Sequence, residues 1–316
     1  MPRLGANDSR QNRRMSSRRA AVAQALFVTF LWSTSWVFIK LGLRGLPPLA
    51  FAGLRYGLGA LLLLSLLLCD RSERAALRGL GGRDWLRLGA LGLILFALTQ
   101  GAQFAALARL PAASVSLVLA FTPLAVALAS APLLGEPLAR RQWGGIAVFL
   151  LGASLYFGPG APSAGHGVGL AIAAVGLVAN AAAALLGRAV NRRRELSPLA
   201  VTAVSMACGA AALLAVGLAS EGLPRPTATG WAIVAWLATV NTAFAFTLWN
   251  RTQRTLSATD SSLLNNTMLV QVAVLGWVAL GERLGPPQVA GVALAALGVA
   301  FAQGMLARRA GARETR

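Results

Sequence analysis

The chain has 316 residues, of which 56 % are hydrophobic and 12 % charged, with a formal net charge of +19. A soluble domain carries about 25 % charged residues, so a water-facing globule is excluded as the main architecture. The positive charge falls in short Arg-rich patches between long apolar runs, the pattern of a polytopic membrane protein whose spans each need about 20 apolar residues.

In chain order, a basic tail (1–19) precedes ten apolar runs: 20–43, 48–69, 87–108, 112–134, 142–158, 168–187, 198–220, 230–250, 261–281 and 287–306, with a second basic tail at 307–316. None alternates polar and apolar residues as a membrane β-strand does, and a bilayer admits only helices or closed barrels. The expected fold class is therefore all-α integral membrane with ten transmembrane helices. The first run is read as a span and not as a cleaved signal, because it passes through "WSTSWVFIK" before any small-residue cleavage pattern.

Polar side chains inside a bilayer are costly, so their positions carry information. Run 1 places Thr29, Trp32, Ser33, Trp36 and Lys40 within about 100° of one another at helical spacing. Lys40 is read as snorkelling to the outer surface. Trp32 and Ser33 are too deep for an interfacial belt, so this stripe is expected to face a cavity. Run 2 holds Arg55, the one strong cation within a span. It can snorkel, pair with a carboxylate or bind a ligand carboxylate, and a structural role is favoured. Run 3 offers Phe96, Thr99, Gln100 and Gln103 on one face, run 6 the lone amide Asn180, run 8 Asn241, Thr242 and Trp249, and run 9 Ser262, Asn265 and Asn266. Interhelical hydrogen bonding is the ordinary use of any one such amide. Four polar faces on different helices favour a shared wet cavity, and amides with indoles suit a zwitterionic or aromatic ligand.

The arginines orient the chain. One side collects Arg3, Arg10, Arg13, Arg14, Arg18, Arg19, then Arg71, Arg74, Arg78, Arg83, Arg87, then Arg140 and Arg141. It continues with Arg188, Arg192, Arg193, Arg194, Arg251, Arg254, Arg308, Arg309, Arg313 and Arg316. The other side has only Lys40, Arg44, Arg109, Arg225 and Arg283. Positive residues accumulate in the cytoplasm, so both termini are expected there. The same placement removes the need for nucleic acid as a partner, because topology alone requires these arginines at span ends.

A constant offset carries residues 112–158 onto 258–304 without gaps. Ser116 meets Ser262, Gly135-Glu136 meets Gly281-Glu282, Gln142 meets Gln288, Gly145 meets Gly291 and Gly152 meets Gly298. Two halves follow, 20–158 and 168–306. Because each has an odd number of spans, the second enters the membrane inverted, a signature of secondary transporters. Glu136 and Glu282 end runs in both halves and are read as cap or hinge residues. The four glycines are read as close helix packing.

Ten spans in two halves, "LWSTSWVFIK" in run 1, "ALARLPAASVSLVLAFTPLAVALAS" across runs 3 and 4, and Gly-Glu after runs 4 and 9 resemble the drug/metabolite transporter superfamily, EamA type. The resemblance covers essentially all of the chain after residue 20. It implies movement of small metabolites across a membrane, several bacterial members being amino-acid exporters.

The absences agree. There is a single histidine, His166, read in a loop, and the two cysteines, Cys69 and Cys208, form no CxxC pair and are read as packing residues. No Gly-Lys-Ser/Thr phosphate loop occurs, and no Ser-His-Asp arrangement is plausible. No metal or other cofactor is expected, and no enzyme activity. Span midplanes lack Asp, Glu and His; Asp260, Glu136 and Glu282 lie at span ends. The expected protein is a multi-pass transporter or facilitator of the cytoplasmic membrane, monomer or homodimer, with small metabolites and lipid as its partners and export as its direction. Amino acids lead as substrate, through Trp32, Ser33, Trp36, Gln100, Gln103, Asn180, Asn241, Trp249, Asn265 and Asn266. Sugars, nucleosides or drugs are the rival cargo, and a membrane-embedded enzyme or scaffold the rival class.

Overall fold

In hydrocarbon every backbone N–H and C=O has to be paired within its own segment, and the apolar runs accordingly form helices. The computed structural model describes the backbone of residues 4–134, 138, 140–158, 164–191, 196–252, 255–256 and 258–313. It describes the side chains of 19–129, 138, 140–158, 165–187, 190, 196–249, 251–252, 255–256, 261 and 264–302. Glu136 lies outside these residues, as do the side chains of Asp260 and Ser262. No strand occurs among the described residues.

Run 1 belongs to α1 (Leu4–Gly42), and Pro48, which has no N–H to leave unpaired, starts α2 (Pro48–Cys69). Asp70 then caps the short α3 (Arg71–Arg78) by accepting from the backbone N–H and hydroxyl of Ser72 at 2.8 and 2.7 Å. Those bonds hold the Asp70 carboxyl below the ordinary carboxylate range. Run 3 is built from α4 (Gly82–Gly92), a π-helical segment (Leu93–Thr99) and α5 (Gln100–Leu107). Run 4 breaks at Phe121 into α6 (Ala112–Ala120) and α7 (Thr122–Leu134), and α8 (Arg140–Phe157) closes the first half. The second half repeats the plan: α9 (Ala164–Asn191), α10 (Pro198–Glu221), α11 (Ala228–Ala238), a π segment (Thr239–Phe244), α12 (Ala245–Thr252), α13 (Ala258–Leu280) and α14 (Pro286–Arg313). His166, expected in a loop, lies in the first turn of α9.

Among the described residues seven helices are long and apolar enough to cross a membrane, and Leu264–Leu280 and Pro286–Ala302 are shorter apolar helices. The two π segments begin at Leu93 and Thr239, related by the same offset that carries Gly135 onto Gly281. In each, a threonine hydroxyl reaches back five residues: Thr99 Oγ1 donates to the Ile94 carbonyl and Thr242 Oγ1 to that of Leu237, both at 2.9 Å. Both threonines were read on polar faces; the widened turn consumes their hydroxyls instead.

Corresponding helices of the two halves pack on each other. Helix α2 lies along α10 and α8 along α14. At the second pair the backbones touch. A Cβ added at Gly145 would stand 2.7 Å from the Gly298 carbonyl oxygen, and one at Gly152 would stand 2.6 Å from that of Gly291. Numbers rise along one helix as they fall along the other, so the counterparts run antiparallel. The remaining contacts exchange in the same way: α1 packs on α12 and α13, and α9 on α5, α6 and α7. The main buried cluster, with Ile39, Phe51, Phe104, Leu107, Met206 and Leu237, joins both halves.

Candidate functional site

The polar residues of the spans converge on one cavity of about 410 Å³. It is lined from α1 by Trp32, Ser35 and Trp36, from α2 by Arg55 and Tyr56, from α5 by Gln100 and Gln103, and from α6 and α7 by Ser116 and Thr122. The second half contributes Asn180 of α9, Asn241 of the π segment, Phe246 of α12, and Asn265, Asn266 and Met268 of α13.

Each wall residue is held by identifiable bonds. Trp32 donates from Nε1 to the Asn241 carbonyl at 3.1 Å, and its ring stacks at an angle on Phe246 and Trp249 with centroids 5.4 and 5.2 Å apart. Asn241 is 0 % exposed and donates from Nδ2 to the Leu31 carbonyl and, at 3.3 Å, to Thr34 Oγ1. This pair of crossing bonds ties α1 to the opposite half at the level of the cavity. Tyr56 donates its hydroxyl proton to Gln100 Oε1 at 2.7 Å, which turns the Gln100 amide to a fixed orientation. Asn180 Nδ2 donates to Thr122 Oγ1 at 3.2 Å, and that hydroxyl donates to the Leu119 carbonyl at 2.6 Å.

Of the residues expected on the wall, Trp32, Trp36, Gln100, Gln103, Asn180, Asn241, Asn265 and Asn266 line the cavity. Ser33 and Trp249 do not. Ser33 is fully buried behind the wall, where its hydroxyl bonds the Thr29 carbonyl and Gln271 Oε1, both at 2.8 Å. Trp249 backs the ring of Trp32. Residue typing missed Ser35, Tyr56, Ser116 and Thr122. The signal for Tyr56 was its place beside Arg55, the strong cation of run 2. No such signal marked the three aliphatic hydroxyls, since serine and threonine in a helix can satisfy themselves on the preceding turn, as Ser116 does on Ala113 at 2.9 Å.

Arg55 does not snorkel: it is 5 % exposed, with its guanidinium carbon 4.9 Å from the centroid of Tyr56 and 6.0 Å from that of Phe104. Glu282 accepts from the backbone N–H of Ala112 at 2.6 Å and of Ala113 at 3.3 Å, so a carboxylate of the second half caps α6 of the first. Glu221 treats α2 alike, accepting from Leu49 at 3.0 and 3.1 Å and from Ala50 at 3.0 Å. A second cavity holds Lys40, Arg44, Arg109 and Glu282.

The EamA-like transporter family matches the chain twice, over residues 19–158 and 167–303. The S-adenosylmethionine/S-adenosylhomocysteine transporter of Chlamydia trachomatis serovar L2 is 27 % identical over 280 residues, covering 85 % of this chain and 84 % of the relative. The uncharacterized inner membrane transporter YedA of Escherichia coli K12 is 27 % identical over 281 residues, with 87 % and 86 % covered. A solved crystal structure shares the fold at a TM-score of 0.65 and 24 % identity, covering 93 % of this chain and 98 % of the other. The protein is thus a multi-pass transporter of the inner membrane and not an enzyme. Two consecutive matches, laid over a helical fold whose halves pair helix with counterpart, make this chain a member of the EamA-like transporter family within the drug/metabolite transporter superfamily.

Proposed function

We propose that the protein exports small zwitterionic metabolites, amino acids foremost, by alternating access of the halves 20–158 and 168–306 around the central cavity. In this reading ten spans cross the membrane, both termini are cytoplasmic, and the molecule works as a monomer or homodimer. The observation that carries it is the cavity wall: two indoles and six amides, the amides drawn from both halves, with no Asp or Glu among its described residues. Amides donate and accept, and indole faces stack, which suits a zwitterionic cargo. With no carboxylic acid among the described lining residues, the substrate moves down its own gradient. Cytoplasmic excess then makes the flow outward.

The relative named for S-adenosylmethionine supports a close second reading, a larger metabolite that keeps a free α-amino acid end. Its adenine would rest on Trp32 or Trp36. The test is efflux from proteoliposomes holding the purified full chain, loaded in turn with labelled L-leucine, L-phenylalanine, L-threonine, S-adenosylmethionine, glucose and uridine. Protein-dependent efflux of a compound with an α-amino acid group is expected. Efflux confined to glucose or uridine would replace the reading with a sugar or nucleoside carrier.

A further inference from the structure

Arg55 is the one charged side chain among the described residues lining the cavity. At 5 % exposure its charge is withdrawn from bulk water. A guanidinium has five N–H donors in one plane and no acceptor. The faces of Tyr56 and Phe104 beside it attract the positive charge but supply no in-plane acceptor. Its Nε is buried with no hydrogen-bond partner. A buried arginine with a structural role is ordinarily paired with a carboxylate, and no Asp or Glu among the described residues lines this space. An unbonded group of opposite kind lies at Asn241. Both of its amide hydrogens are placed on Leu31 and Thr34, while Oδ1 is buried with no partner.

We propose that Arg55 binds the carboxylate of the transported molecule and that Asn241 Oδ1 accepts a hydrogen bond from its ammonium group. This rests on reading the cavity as the transport site, and it turns that reading into a rule: cargo must carry a carboxylate. The planar fork of arginine matches a carboxylate with two parallel N–H···O bonds. One cation balances one carboxylate. A phosphate dianion would bring charge that no second cation among the described lining residues answers. Occupation leaves Arg55 paired, so cargo with the carboxylate completes a wall that cargo without it leaves unsatisfied. Discrimination by an unpaired buried polar group is stronger than discrimination by shape.

The test is ligand-induced stabilisation of the detergent-purified full chain, followed as the rise in Tm with concentration. The probes are pairs differing in the carboxylate: L-leucine and 3-methylbutylamine, L-phenylalanine and phenethylamine, S-adenosylhomocysteine and its decarboxylated form 5′-(3-aminopropylthio)-5′-deoxyadenosine. Inorganic phosphate is the control anion. At least one carboxylate member is expected to bind, and its partner to bind about ten-fold or more weakly, the loss of one charge-assisted contact. Arg55→Lys should keep part of the preference and Arg55→Gln none. The proposal is overturned if no carboxylate probe binds, if partners bind equally, if phosphate alone binds, or if Arg55→Gln elutes as a folded species and keeps the preference. Should Arg55→Gln fail to fold, the wild-type pairs decide alone. Proteoliposome efflux separates the two readings. Carboxylate-selective binding without flux refutes transport and leaves Arg55 assigned, whereas flux of amines or nucleosides without carboxylate preference refutes Arg55 and leaves transport.

Discussion

Asn241 and Gln103 line the same cavity and differ in what else they do. Asn241 bonds the Leu31 carbonyl and Thr34 and receives Trp32 on its own carbonyl, so its side chain joins two halves as well as facing the cargo space. Gln103 lines the cavity with no hydrogen bond to another described residue. Asn241→Leu is therefore expected to lower stability by about 1–3 kcal/mol, the toll of unsatisfied buried partners, and to abolish efflux. Gln103→Leu should change stability by no more than about 0.5 kcal/mol while still reducing efflux. Thermal unfolding and proteoliposome flux measured on both variants check the contrast. Equal destabilisation by the two would contradict it. The amides and indoles of this site were legible because lipid repels them, so each had to have an interior use. Ser33 was misplaced for the converse reason: a hydroxyl can bond its own helix, and its presence says little about which face is wet.

At the scale of elements, two helix starts share one weakness. α2 and α6 are preceded by Pro47 and Pro111, which have no side-chain oxygen to offer the first free N–H groups. α10 and α11 instead begin after Ser197 and Thr227, whose hydroxyls accept from Ala200 and Gly230. Glu221 and Glu282 supply the missing caps from the other half. Replacing either by alanine should cost about 0.5–2 kcal/mol, as loss of an N-cap does, read as a fall in Tm; an unchanged Tm would show that the N–H groups find other partners. Glycine contacts set a larger effect. Gly152→Val places a Cβ 2.6 Å from both the Gly291 oxygen and the Ala295 nitrogen, backbone atoms that cannot rotate away. Overpacking of about 1–3 kcal/mol is expected, whereas Gly158→Ala, with open space but a positive φ of 69°, tests local backbone conformation alone. The repeated glycines were legible as packing from their spacing. The π segments were not, because a turn closed by bonds five residues apart leaves no mark in composition.

For the whole molecule, the run lengths and the internal repeat make the helical two-half plan readable in the sequence. Gly-Glu and Gln are rare enough in this chain that their recurrence at one offset carried weight, where Ala and Leu did not. The cross-half caps and the unbonded Nε of Arg55 were beyond reach, since both depend on which helices become neighbours. The proposed sidedness rests on the arginines and is testable by fusions after Leu80, Gly160 and Arg316. A cytoplasm-active reporter should work at Leu80 and Arg316, and an outside-active reporter at Gly160; an outside-active fusion at Arg316 would contradict the ten-span topology. The most direct measurement of the central claim is counterflow of an α-amino-acid cargo in proteoliposomes with equal pH and equal salt on both sides. Labelled cargo should equilibrate across the membrane through the wild-type protein, and not through Asn241→Leu. Movement that occurs only under an imposed pH gradient, accumulates cargo uphill and stops on adding a protonophore would contradict the facilitator account and make the span-end acids its proton carriers.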